Sequence, residues 1–132
     1  MLFLAWAFWG IAVAPQGGYA QTESKVSCPP IDLAGLKNLL GERPDKSIRL
    51  IFFSSWCSDC PVHLKKIKPS DNIVIVGIFD KRQRIEKAVK RLELAQPCFT
   101  DAGVGKKLGV TIVPAERTVS AKNLTDLLGS SP

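Results

Sequence analysis

The sequence has few of the residues that hold soft metal ions and no segment that repeats. Its 132 residues include one His and one Met, which disfavours a dedicated copper site because such sites draw on His, Met and Cys together. With 45% hydrophobic and 23% charged residues and no low-complexity segment, the chain is neither fibrous nor disordered. Its length excludes a multi-domain enzyme and suits one domain with an ordinary core.

Residues 1–20 contain no Asp, Glu, Lys or Arg, and this segment indicates a secretory signal peptide. Its apolar run is shorter than the roughly 18 residues that a membrane-spanning helix needs, and the small Gly18 and Ala20 fit cleavage after Ala20. No Lys or Arg precedes the run, which leaves an uncleaved anchor, and hence membrane association, as the alternative. No Cys lies near the cleavage position to support a lipoprotein anchor. Residues 21–132 are therefore expected to form an exported domain, periplasmic or otherwise, in a compartment that permits disulfides.

Strand-like and helix-like patterns alternate along residues 21–132, which predicts an α/β sheet. The continuous apolar run 73–79 is typical of a strand covered on both faces. The predicted strands are 48–53, 73–79, 98–100 and 117–120. The predicted helices are 33–40, a helix from the cysteine motif to about residue 68, one that Asp80 caps, one near 103–108 and a last one through 124–128.

The motif Cys57-Ser58-Asp59-Cys60 stands where an apolar strand gives way to a helix. A cysteine at a helix N-terminus meets unpaired N–H groups and the positive end of the dipole, which favour the thiolate and make Cys57 the expected nucleophile. The three-residue step to Cys60 lets both sulfurs form and break a disulfide. A structural zinc site usually needs a second such pair, whereas Cys28 and Cys98 are isolated. The motif therefore predicts redox chemistry without a resident metal.

Four segments together fit one family pattern. They are Phe52-Phe53-Ser54-Ser55, Trp56-Cys57-Ser58-Asp59-Cys60, the run Ile73 to Phe79 followed by Asp80 and a long helix, and Gly109-Val110-Thr111-Ile112-Val113-Pro114. On these residues the chain from Ile48 to Val119 resembles a thioredoxin-like domain, and in particular the exported TlpA/ResA-like branch. The resemblance implies a thioredoxin-like fold with a mixed central sheet flanked by helices.

The resemblance also implies a mechanism. Pro114 would be cis and face the cysteine pair, the Val113 backbone would pair with substrate, and Trp56 would shield the site. Cys57 would form a mixed disulfide that Cys60 resolves. The partners would be cysteine-containing exported proteins and an upstream redox partner, with no dissociable cofactor and the chain acting as a monomer.

The chain departs from the family pattern at three points, two of which affect this chemistry. Asp59 stands where members commonly have Pro, and its charge disfavours a neighbouring thiolate, so the disulfide is harder to reduce and the protein leans toward donating electrons. Ile51 replaces the buried Asp of cytosolic thioredoxins, so any proton acceptor must come from elsewhere. Only one strand fits between Pro114 and the last helix, which predicts a shortened C-terminal strand region.

His63 follows Cys60 by three residues, where this branch often has Glu. Residues at this spacing are neighbours on a helix, and a His accepts protons near neutral pH. One hypothesis is that His63 takes the proton of Cys60 during resolution. The alternative is a surface His before a Lys-rich stretch.

Cys28 and Cys98 are expected to form a structural disulfide, because an exported domain with an even cysteine count usually pairs them. Two free thiols, or a second redox pair facing a partner, remain as alternatives.

Other functions have weaker support in the sequence. A peroxidase function is disfavoured, because Ser54 stands where such enzymes place the Thr of a Thr-x-x-Cys pattern. The alternative from another class is a metal-handling module in which Cys57, Cys60 and His63 hold copper or zinc.

The helix after Asp80 is rich in Lys and Arg, which most often marks a solvated face. It could also favour an acidic partner or an anionic membrane surface. No aromatics interleave with these charges, so nucleic acid binding is not expected.

The N-terminal segment yields a direct prediction. If residues 1–20 are removed on export, the mature chain begins at or near Gln21, and intact mass and N-terminal sequencing of the exported protein will show it. An exported product that keeps Met1 would point to the anchor instead.

Overall fold

The structure, a computed structural model, describes residues 26–42, 47–68 and 72–124. The elements in chain order are β1 (Pro30–Ile31), α1 (Leu33–Gly41), β2 (Ile48–Phe53), α2 (Cys60–Lys65), β3 (Ile73–Gly77), α3 (Arg82–Leu92), β4 (Cys98–Asp101), α4 (Val104–Lys107) and β5 (Ala115–Val119). Residues 121–124 are helical. The candidate signal peptide 1–20 and the end of the last predicted helix lie outside the described residues.

The strands form one mixed sheet in the order β1-β4-β3-β2-β5. The pairs β1–β4, β4–β3 and β3–β2 are parallel, and β5 pairs antiparallel with β2. The prediction of an α/β sheet flanked by helices is confirmed. In the described part of the chain β5 is an edge strand followed by helix, which agrees with the expected single strand after Pro114.

Both faces of the sheet are buried because β2 sends alternate side chains to opposite sides. Leu50 and Phe52 join a cluster with residues of α1 and α4, whereas Ile51 and Phe53 join a cluster with residues of α2 and α3. β3 is divided in the same way, with Val74 and Val76 in the first cluster and Ile73 and Ile75 in the second. Burial of both faces explains the continuous apolar run from residue 73.

Several element boundaries differ from the sequence predictions. β3 ends at Gly77, where an added Cβ would lie 2.3 Å from Cδ1 of Ile85, so only glycine lets α3 pack this closely. Phe79, predicted in the strand, instead has a φ of 60° and is 49% exposed. β5 begins at Ala115, two residues before its predicted start, and β1 was not predicted.

A disulfide joins Cys28, before β1, to Cys98 at the start of β4. The Cys28 N–H donates to Oε2 of Glu86 on α3 at 2.8 Å, and the Thr100 hydroxyl donates to the Cys28 carbonyl at 2.7 Å. The segment before β1 is therefore attached both to the sheet and to α3.

Removing this disulfide should lower stability substantially. The two cysteines are 70 residues apart, and the chain-entropy model gives about 4 kcal/mol for closing a loop of that size. Urea unfolding of Cys28→Ala/Cys98→Ala under oxidising conditions measures the loss. The control is Cys57→Ala/Cys60→Ala, whose cysteines are 3 residues apart and whose loss should be less than half as large. Recovery of Cys28 and Cys98 as free thiols from oxidised protein would contradict the pairing.

Candidate active site

The Cys57–Cys60 pair lies just beyond the C-terminal end of β2, in the cluster under α2 and α3. A disulfide joins the two residues, with their Cα atoms 5.4 Å apart. Cys57 is 7% exposed and Cys60 is 1% exposed. Both cysteines are therefore buried, and Cys57 is the slightly more accessible of the two.

Cys57 lies in a turn before α2, so its expected position in the first helical turn is wrong. The helix begins at Cys60, and Pro61 follows in its first turn. The N–H of Cys57 donates to the Ser54 carbonyl at 3.3 Å, and the Cys57 carbonyl accepts from Cys60 N–H at 3.3 Å. Proline favours the first position of a helix because its φ is already helical and it has no N–H to pair. Pro61 therefore explains the later start.

The predicted helix also extends too far, because α2 ends at Lys65 rather than near Lys68.

Residues 54–59, between β2 and α2, are called the redox loop below. Asp80 supports this loop and does not cap α3 as predicted. Its Oδ2 accepts from the Ser55 N–H at 2.7 Å and its Oδ1 from the Lys81 N–H at 2.8 Å, and the N-cap of α3 is Lys81. Partial burial acts to raise the pKa of Asp80, but hydrogen bonds from Ser55 and Lys81 and the charge of Arg84 together bring that pKa below its usual value. Asp80 is therefore a charged acceptor that holds the backbone two residues before Cys57.

Two further hydrogen bonds join the redox loop to the residues after β3. Trp56 Nε1 donates to the Phe79 carbonyl at 3.0 Å, and the Ser54 hydroxyl donates to the Ile78 carbonyl. Sequence reasoning missed these contacts because they join segments more than 20 residues apart.

Four large apolar side chains are exposed and are called the apolar rim below. Trp56 and Val62 lie within two residues of the cysteine pair along the chain, Phe79 accepts from Trp56 through its carbonyl, and Ile112 precedes Val113. Its members are Trp56 at 59% exposure, Val62 at 61%, Phe79 at 49% and Ile112 at 73%. Next to Ile112, Val113 packs against the cluster that contains both cysteines, and the Val113–Pro114 peptide bond is cis. Exposed apolar patches commonly mark interaction sites.

His63 contacts a carboxylate that sequence reasoning missed. Its Nε2 lies 2.9 Å from Oε2 of Glu116 on β5, and Arg49 on β2 donates to both oxygens of Glu116 at 3.0 and 3.1 Å. These residues line an open cleft of about 650 Å³ whose lining includes neither Cys57 nor Cys60. The action of His63 on Cys60 stays a prediction.

The strand register explains why Glu116 reaches this position. Glu116 on β5 is the direct partner of Ile51 on β2. The strand predicted at 117–120 begins one residue after Glu116, and the register of its pairing is not visible in the sequence.

Neither a metal cluster nor a membrane-crossing helix is found among residues 26–42, 47–68 and 72–124. No three His, Cys, Asp or Glu residues there lie close enough to hold a metal ion together. None of the helices in these ranges is long and apolar enough to cross a membrane.

Comparisons with known proteins give no family assignment. Neither a scan against models of protein families nor a search of curated proteins finds a match for this chain.

Glu116 should make stability depend on pH. The hydrogen bond from Arg49 is the main cause that lowers the pKa of Glu116, with the Arg49 charge and His63 adding to it against partial burial. A carboxyl with a lowered folded-state pKa stabilises the fold above its unfolded pKa of about 4.3, and this stabilisation is lost as pH falls through the folded value. Glu116→Gln should therefore cost up to about 1 kcal/mol at pH 7, with the difference narrowing below about pH 4.

Urea unfolding of the wild type and Glu116→Gln from pH 7 to 3 measures this difference. Glu42→Gln is the control, since the Glu42 side chain has no hydrogen bond or ion pair within the part of the chain that the structure describes. A difference for Glu116→Gln that stays constant with pH would contradict the prediction.

Proposed function

We propose that this protein is an exported, monomeric thiol-disulfide oxidoreductase of the thioredoxin-like class, leaning toward reduction of cysteine pairs in other exported proteins. The observation that carries the proposal is the Cys57–Cys60 disulfide just beyond the end of a buried strand, where both cysteines are buried and Cys57, at 7% exposure, is the more accessible of the two. A pair so placed can exchange through the accessible sulfur while the other waits within reach.

The exchange uses both cysteines in turn. In the reduced protein, the Cys57 thiolate attacks one sulfur of a substrate disulfide, and the other substrate sulfur leaves as a thiolate. Cys60 then loses its proton and attacks Sγ of Cys57, which releases the second substrate sulfur. The substrate gains two electrons and two protons, Cys57 and Cys60 become a disulfide, and an upstream dithiol partner reduces them again.

The surroundings of the pair support a protein substrate. The apolar rim offers contact area beside the disulfide, and Val113 packs against the cluster of both cysteines. This packing supports the expectation that its backbone docks a substrate strand next to Pro114.

The direction of electron flow rests on Asp59, which is exposed and adjacent to Cys60. A carboxylate near Cys57 disfavours the thiolate by like-charge repulsion, which favours the oxidised protein and makes the reduced form a better donor. A reduction potential near that of thioredoxin, about −270 mV, fits a donor, and one near −120 mV fits an oxidant.

The cysteine inventory supports export. Cys28 and Cys98 are paired, as are Cys57 and Cys60. Stable structural disulfides are typical of oxidising compartments, which agrees with the signal peptide predicted at residues 1–20.

Trapping experiments test the roles of the two cysteines. Cys60→Ser should accumulate mixed disulfides with substrate proteins, because nothing resolves the bond that Cys57 forms, and Cys57→Ser should not. Non-reducing electrophoresis with mass spectrometry identifies the adducts. Equal trapping by both variants would contradict the assignment. Metal bound at stoichiometric level to protein purified without chelator, together with no exchange activity, would favour the metal-handling alternative.

A further inference from the structure

One exposed face of α3 carries positive charges next to the redox loop. Ile85, Ala88 and Val89 are the buried residues of this helix, and its basic side chains lie on the opposite side. The cationic ridge, as we call this face, consists of Arg84, Lys87, Lys90 and Arg91. Arg84, Lys87 and Lys90 follow one another at three-residue steps and Arg91 lies four residues after Lys87, so the four are neighbours along one side of the helix.

Carboxylates do little to offset the ridge. On α3 itself, Glu86 accepts from the Cys28 N–H and from Arg82. Lys87, Lys90 and Arg91 form no ion pair or hydrogen bond through their side chains within the described ranges. Like charges at these spacings repel one another, and an anionic partner would relieve that repulsion.

The ridge begins at the redox loop. Arg84 is close enough to Asp80 for its charge to lower the pKa of that carboxyl, and Asp80 accepts from Ser55 N–H at 2.7 Å, two residues before Cys57. At 1.5 Å per residue the ridge extends about 10 Å from Arg84 to Arg91, which is about one Debye length at physiological salt. A negatively charged segment bound there would lie beside the disulfide.

We propose that the cationic ridge binds an acidic segment of the protein substrate, so that the protein prefers cysteine pairs flanked by Asp and Glu. This inference rests on the proposed function and adds a substrate class to it. The ridge changes the rate of encounter, while the bonds and electrons of the exchange stay as described above.

An acidic protein fits this face better than a lipid surface. Ile85, Ala88 and Val89 of α3 are buried in the core and Leu92 is half-buried against the same cluster. The helix therefore has no fully exposed large apolar side chain to insert among lipids, as interfacial helices do. The ridge also begins near the redox loop, since Asp80 just before α3 accepts from the Ser55 N–H, and Phe79 of the apolar rim directly precedes Asp80.

A second basic pair, on α4, provides a matched control. Lys106 and Lys107 are exposed, and Val104 and Leu108 of the same region pack in the cluster on the other face of the sheet. Lys87→Gln/Lys90→Gln and Lys106→Gln/Lys107→Gln remove the same charge from opposite sides of the molecule.

The experiment compares three disulfide substrates. Two are disulfide-closed peptides that differ only in four flanking residues, Glu in one and Lys in the other, and the third is uncharged hydroxyethyl disulfide. The protein is reduced with dithiothreitol, freed of it, and mixed with each substrate. In about 20 mM salt the Glu peptide should react about 10-fold faster than the Lys peptide, and this ratio should fall to within about twofold in about 0.5 M salt.

The variants locate the effect. Lys87→Gln/Lys90→Gln should lower the Glu-to-Lys rate ratio about threefold or more, because charges near the site of encounter dominate steering. Lys106→Gln/Lys107→Gln should change the ratio by less than about twofold, since those lysines belong to the opposite face of the sheet and are farther from the site of encounter. All three proteins should react equally with hydroxyethyl disulfide, which shows that the redox centre is intact.

Each outcome separates the two proposals. No reaction with hydroxyethyl disulfide or with either peptide would overturn the proposed function. Reaction with all substrates but no preference for the Glu peptide at low salt, or equal loss of preference in both variants, would overturn the role of the ridge alone. The ridge proposal also fails if Lys87→Gln/Lys90→Gln keeps the peptide preference but loses binding to vesicles containing phosphatidylglycerol.

Discussion

The geometry of the redox site depends on the hold that the residues after β3 have on the loop after β2. The Ile78 N–H donates to the Phe53 carbonyl at 2.8 Å. In the loop that follows Phe53, the Ser54 hydroxyl donates to the Ile78 carbonyl and the Ser55 N–H donates to the Asp80 carboxylate. The backbone just before Cys57 is thereby held by the residues that follow a neighbouring strand. Phe79 adopts a left-handed φ that a bulky residue rarely takes, and in this conformation its carbonyl accepts from Trp56.

The charges of the domain divide into those used within the fold and those left outside. Asp80 and Glu116 act as acceptors for backbone or side-chain donors, and Glu86 anchors the segment before β1. Each of these carboxylates has a lowered pKa because donors stabilise its ionised form. With these acids committed internally, a chain of net charge +6 presents much of its excess positive charge to partners, and α3 concentrates it beside the disulfide.

The sequence analysis predicted those parts of the fold that depend on local pattern. The predicted strand 48–53 coincides with β2, and the helix predicted after Asp80 corresponds to α3. Both could be predicted because burial of one or both faces of an element sets the spacing of its apolar residues. It missed the contacts of Asp80 and Glu116, because these depend on strand register and on loops distant in sequence. Asp80 also has a local alternative as a helix cap, and residue pattern does not distinguish a carboxylate that caps from one that supports another loop.

The two disulfides share the cluster under α2 and α3, yet their sequence separations suit them to different tasks. Opening the Cys57–Cys60 bond frees a loop of only 3 residues, whereas the Cys28–Cys98 bond restrains 70. By the chain-entropy argument the longer loop has the greater effect on the unfolded chain. Opening the Cys57–Cys60 bond therefore leaves most of the cross-link stabilisation of the domain in place. The contacts that hold the redox loop then persist when the Cys57–Cys60 bond is open, since none of them involves a sulfur atom.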